Sequence, residues 1–208
     1  MLDNQGGQFE MTGGSAARAA ASVLTTASVI PVPNLFYPMS EFYEHSGDPL
    51  PPVVQLDGCD VPEPYRSLLV HDRDMTPTLT KAYRRNMQLR ILKRVLTDSV
   101  LARQIILEME GDGRATVFAA IKIYLDRFTP EARRLILAGK LPFGTILQRQ
   151  CVVHSSRPQA FVRVVADETI NRALGLAGRS VLYGRRSALL NSSQIPLAQV
   201  LEILPPSV

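Results

Sequence analysis

Two periods of apolar residues run through this chain, and they divide it into strands and helices. The runs "LARQIILEME" and "ATVFAAIKIYL" are rich in β-branched and aromatic residues and flank Gly111-Asp112-Gly113. Residues that tolerate positive φ between two such runs predict a β-hairpin. Upstream, "QLRILKRVLTDS" alternates imperfectly and reads as a third strand. The segment "TPEARRLILAGK" is punctuated as a helix, with Thr129 as N-cap, Pro130 at the first position, Leu135 and Ile136 on an apolar face, and Gly139 closing it. A second, shorter helix is expected in "LPFGTILQRQ", a strand in "AFVRVVA", and a helix opened by Asp167 in "DETINRALGLAG". Two final strands are expected to meet at Asn191 to Gln194. Before all of these, "PEPYRSLLVHD" and "TPTLTKAYRR" predict two short helices, the second with Thr76 as N-cap and Pro77 at its first position.

The resulting order is helix, helix, three strands, helix, helix, strand, helix, two strands. Parallel crossovers need strict alternation, so this grouping predicts an α+β fold: a single antiparallel sheet of about six strands with helices packed around it. The first 52 residues carry "GGSAARAAASVLTTASVIPVP" and lack a sustained period, and they read as a poorly ordered Gly/Ala/Pro-rich arm ahead of a domain over 53–208. Removing that arm is expected to leave the fold nearly intact, unless Phe36, Tyr37, Phe42 and Tyr43 in "PNLFYPMSEFY" cover an apolar patch.

Composition narrows the function. The chain has 208 residues, 46% hydrophobic and 20% charged, which suits one globular domain. The net charge of +4 is spread through alternating acids and bases, so no nucleic-acid footprint is expected and small anions fit better. Cys59 and Cys151 have no CxxC companion, and His45, His71 and His154 are scattered. Free thiols, histidines in surface or capping roles, and no metal site are the expectation. The apolar stretch "AAASVLTTASVI" follows Asp3 and Glu10 and has Arg18 as its only nearby base, the wrong flank for export. With no run near the 18 or so residues of a membrane span, a cytoplasmic protein is expected. No heptad seam is visible, which points to a monomer.

Charge in unusual places marks candidate chemistry. Arg103 shares a strand face with Leu101, Ile105 and Leu107 by period-two counting, so its guanidinium points toward apolar surroundings. A buried arginine requires an anion, supplied by the protein as an ion pair or by a ligand in a bidentate fork. Glu202, a lone acid in an otherwise apolar final strand, poses the same choice. Adjacent strand residues face opposite ways, so only one of Arg185 and Arg186 can point inward. Both read as structural charges. The motifs GxGxxG, GxSxG, HExxH and the Walker loop are absent.

Four segments in order, "LLVHDRDMT", "LARQIILEMEGDG", "LPFGTIL" and "LYGRRSALLN" followed by "PLAQVLEILP", resemble the chorismate lyase family from about Tyr65 to Pro206. That family converts chorismate to 4-hydroxybenzoate and pyruvate without a cofactor, in aromatic and ubiquinone biosynthesis. The resemblance implies a small-molecule partner, chorismate, with 4-hydroxybenzoate or an isomer as product. It implies Arg103 as the residue that grips the ring carboxylate, Met75 as the pocket residue after the first helices, Phe143 as the apolar pocket residue between Pro142 and Gly144, and Glu202 as the partner of the ring hydroxyl. Arg103 and Glu202 are thus the implied catalytic pair. One spacing departs: the family's glutamate lies four positions before the proline, whereas Glu202 lies three before Pro205, which puts its facing in question. The alternative is a non-catalytic effector-binding module of the same fold, as in transcription regulators. Those carry a helix-turn-helix in front, which the Gly/Ala/Pro-rich first 60 or so residues do not resemble.

Overall fold

The computed structural model describes residues 34–206. Their secondary structure runs α1 (Met39–Ser46), β1 (Val53–Leu56), α2 (Tyr65–Leu69), α3 (Met75–Tyr83), β2 (Met87–Leu96), β3 (Val100–Met109), β4 (Ala115–Tyr124), α4 (Pro130–Ala138), α5 (Phe143–Arg149), β5 (Ser155–Val165), α6 (Glu168–Leu174), β6 (Val181–Leu190) and β7 (Pro196–Leu204). The strands form a single seven-stranded sheet in the order β1-β5-β6-β7-β4-β3-β2, antiparallel at every pairing. From α2 onward the order of elements is the one the apolar periods predict. The additional strand is β1, a four-residue edge pairing with β5 from Val53↔Val164 to Leu56↔Phe161.

Helix ends follow local chemistry. Thr129 accepts the Ala132 N–H to open α4, with Pro130 first and Gly139 closing in the left-handed region at φ 66°. Asp167 accepts the Ile170 N–H to open α6 and also the Tyr43 hydroxyl at 2.7 Å. The start of α3 differs from expectation: its N-cap is Asp74, not Thr76, and the Asp74 side chain makes no capping bond. That carboxylate is drawn instead to His154 at 2.8 Å.

The sheet buries both faces. On one side Ala102, Ile106, Phe118, Ala120, Leu182 and Leu201 pack with α1 and α6 residues such as Met39, Phe42, Tyr43 and Ile170. On the other, Leu101, Ile105, Leu107, Val117, Ile121 and Val200 face the helices α2 to α5. Period two therefore sorts alternate residues of each central strand between two cores.

The expected arm over 1–52 needs correction where it can be seen. Its first 33 residues lie outside the described residues. Residues 34–52 contain α1, whose Met39, Phe42 and Tyr43 stand at i, i+3 and i+4 and are buried with Phe36. Lys122 of β4 ties the helix down through Glu41 at 2.6 Å. Residues 34–46 thus meet the exception named with that expectation, since Phe36, Phe42 and Tyr43 cover an apolar patch that a truncation at residue 53 would expose. Among the described residues no helix is long and apolar enough to cross a membrane.

Candidate functional site

Between the sheet and the N-terminal ends of α3 and α5 lies a cavity of about 50 Å³. That volume is well below the roughly 300–1,000 Å³ of ordinary ligand pockets, so a small acid enters only if lining side chains move apart. Its floor is Ile105, Leu107, Val117, Ala119, Ile121 and Val200. Polar side chains stand around this apolar floor.

Arg103 lines the cavity from β3 and is fully buried, at 0% exposure. Its Nε, Nη1 and Nη2 have no hydrogen-bond partner among the described residues. Burial pulls its pKa down to about 10, helped by the neighbouring Arg94 charge, so the guanidinium stays charged at neutral pH. Of the two fates open to a buried arginine, no carboxylate among the described residues provides the first.

Arg185 is the opposite case. It sits directly across from Glu202 in the β6–β7 register and donates from Nε to Glu202 Oε2 at 2.9 Å. Its remaining donors reach the carbonyl oxygens of Leu69, His71 and Arg73, and Nδ1 of His71. Each nitrogen of this guanidinium is therefore bonded to the protein. Burial pushes the Glu202 carboxyl up, and the Arg185 charge opposes that rise. Arg186 points to the other face and donates to the Asn34 carbonyl oxygen. The double arginine thus splits as strand alternation requires, with Arg185 at the cavity wall in an internal ion pair and Arg186 on the other face.

The close approach of β6 and β7 beside this pair depends on Gly184. A Cβ there would meet the carbonyl oxygen of Glu202 at 2.4 Å, so a side chain would force the strands apart and break the Arg185–Glu202 contact.

His45 is exposed in the last turn of α1, as expected, whereas His71 and His154 are half-buried and take on further bonds. His71 accepts at Nδ1 from the Arg73 N–H and from Arg185, and donates from Nε2 to the Leu68 carbonyl oxygen. Those partners suit the neutral ring, and burial and the Arg185 charge lower its pKa accordingly. His154 is the reverse. Its Nδ1 meets the Val152 carbonyl oxygen and its Nε2 meets Asp74 Oδ2, each at 2.8 Å, so both bonds form only in the imidazolium. The hydrogen bond to Asp74 raises its pKa against the pull of burial. This ion pair joins the start of α3 to the segment before β5 at the cavity rim.

The pair has a pH signature. A raised folded pKa gives stability that is full below the unfolded value near 6.5 and is lost as pH rises through the folded value. Urea midpoints of wild type and His154→Gln should therefore lie furthest apart near pH 5.5 and converge by about pH 9. A gap that is constant over this range would mean that the proton on His154 contributes nothing.

Phe143, the first residue of α5, lines the cavity and meets Phe128 edge-on at 5.8 Å. Met75, the first residue of α3, lines it from above, 3% exposed. Thus Met75, Arg103, Phe143 and Glu202 all border one cavity, although they come from four different elements. Glu202 faces it despite the short spacing to Pro205.

Solved structures supply the comparison for this arrangement. PhnF from Mycobacterium smegmatis is similar with a TM-score of 0.51 at 12% identity, over 66% of this chain and 65% of that one. The fold is chorismate lyase-like. The effector domain of PhnF gives 0.49 at 11% identity, over 64% of this chain and 88% of that one. A transcriptional regulator of the GntR family from Enterococcus faecalis V583 gives 0.39 at 12% identity, over 59% and 93%. No protein-family model matches the chain, and no curated protein does.

Asp74, His154, Ser156, Arg185 and Ser187 also border the cavity or brace it, and sequence reasoning did not single them out as site residues. The only signal for Arg185 was its shared hairpin with Glu202. Among the described residues no three His, Cys, Asp or Glu side chains gather in a way that could hold a metal ion. Cys59 and Cys151 are free and exposed.

Proposed function

We propose that this chain binds a small organic acid in the cavity of its chorismate lyase-like fold, with Arg103 as the carboxylate anchor. The observation that carries the reading is the Arg103 guanidinium, charged, fully buried and without a partner among the described residues. An isolated charge in such a place costs several kcal/mol, which an entering carboxylate offsets through paired N–H donors. The apolar floor suits a ring or a short hydrocarbon body. A small-molecule-binding role agrees with the chorismate lyase-like fold.

A second reading, removal of pyruvate from chorismate to give 4-hydroxybenzoate, is favoured by a separate observation. Met75, Arg103, Phe143 and Glu202, the positions that the family resemblance singles out, border the same cavity. Arg103 would hold the ring carboxylate and Glu202, fixed by Arg185, would orient the hydroxyl. Catalysis would then rest on orientation and a preorganised charge pattern in a dry site.

One experiment separates the two. Purified protein is titrated with 4-hydroxybenzoate by calorimetry and incubated with chorismate while pyruvate is followed. Saturable 4-hydroxybenzoate binding without pyruvate supports the binding module, and pyruvate release at a rate proportional to protein supports the lyase. No binding and no pyruvate would refute both readings.

A further inference from the structure

Two hydroxyls in the same cavity remain unexplained. Ser156 of β5 and Ser187 of β6 line it, are 7% and 1% exposed, and have no hydrogen-bond partner for their Oγ atoms among the described residues. Buried hydroxyls normally return to nearby backbone, as Thr116 does to the Leu107 carbonyl oxygen at 2.8 Å. Leaving one unsatisfied costs about 1 to 3 kcal/mol, so a pair of them on one wall is a costly arrangement unless something else meets them.

Their placement says what that is. Ser187 pairs with Pro158 on β5, two positions from Ser156, so the serines are diagonal neighbours on one face, about 7 to 8 Å apart. Across the sheet, Ser187 aligns with Val200, Val200 with Ile121, and Ile121 with Arg103. One row of side chains thus runs cation, apolar, apolar, hydroxyl over three strand spacings, about 14 Å of backbone. A molecule lying along this row has its first carboxylate on Arg103 and its body over Ile121 and Val200. Its far end reaches the serines, where only an oxygen or nitrogen function finds partners.

We propose that Ser156 and Ser187 form a second polar subsite that takes a second carboxylate, at the far end of the acid whose first carboxylate Arg103 holds. The proposal rests on the Arg103 reading above. The ligand is therefore a small dicarboxylic acid with an apolar middle. Two hydroxyl donors suit a carboxylate, and the adjoining positive charges of Arg185 and His154 are each already neutralised by Glu202 and Asp74.

The test uses benzoate, with one carboxylate, and 3-(carboxymethoxy)benzoate, with a second on a short arm, each titrated into wild type, Ser187→Ala and Ser156→Ala. Wild type should bind the two-armed probe about tenfold or more tightly than benzoate, the effect of one to two charge-assisted hydrogen bonds. In each serine variant that ratio should fall to about two or less. Melting points should stay or rise, since an unpartnered hydroxyl is removed, and a variant that instead melted earlier would show the hydroxyl to be structural. Ser187→Thr restores a hydroxyl and should restore part of the ratio. A ratio that survives both alanine substitutions, or a wild type with no preference for the second carboxylate, overturns the subsite. If wild type binds benzoate and only the preference is missing, Arg103 remains the anchor and the serines alone are refuted. If wild type binds neither probe, both ideas fall together.

Discussion

Arg103→Ala should abolish acid binding while leaving the protein as stable as wild type or more so. The two effects separate because the guanidinium has no partner among the described residues: removing it strands no buried carboxylate, and it relieves an uncompensated charge. Removing one partner of a buried charged pair costs about 3 to 5 kcal/mol, so dissociation constants for 4-hydroxybenzoate should rise by roughly two to three orders of magnitude. Arg103→Lys keeps the charge and loses the planar fork, and should recover only part of that affinity. Calorimetry and thermal melting on the same samples decide the matter. Folded Arg103→Ala protein with wild-type affinity would end the anchor assignment, and an early-melting variant would reveal a structural partner for the guanidinium.

Arg185→Ala should behave in the opposite way and destabilise the fold by about 3 to 5 kcal/mol, because it leaves the Glu202 carboxylate and three backbone carbonyl oxygens of the 69–73 segment without their donor. Urea denaturation measures it. Adding Glu202→Gln to Arg185→Ala should recover a good part of the loss, since the stranded charge is gone, and this non-additivity is the mark of a coupled pair. A cost below about 1 kcal/mol would mean that water replaces the guanidinium at that site.

These two arginines show how far the sequence could be read. Arg103 was visible as an inward charge because β3 places it among apolar residues of matching period. That no carboxylate among the described residues pairs with it was not visible, since a partner can come from any element that folds over the strand. Arg185 was legible as one of two alternating charges, yet which of the two pointed inward depended on the β6–β7 register. That register is set by an irregularity between Leu189 and Leu190 beside the 191–195 turn, which moves Arg185 opposite Glu202. A shift of one residue would have turned the pair apart, and nothing in the alternation reveals where a bulge falls.

The Arg-Arg sequence and the lone acid of the last strand therefore announced charge in a core, and Gly111-Asp112-Gly113, Thr129-Pro130 and Asp167 determined their hairpin and helices, because turn and cap chemistry acts within a few residues. The sheet type also followed, from hairpins and grouped helices. Helix α1 had helical spacing at Met39, Phe42 and Tyr43, but Pro38 and Pro49 bracket it so closely that its stability comes from the sheet face it covers, which local propensity cannot supply. Strand β1 is four residues long and exists through its pairing with β5. The cavity itself, with the Asp74–His154 brace and the row from Arg103 to Ser187, was decided by tertiary structure alone. Its residues meet across strand register and helix packing, and those are properties of the assembled sheet and not of any segment within it.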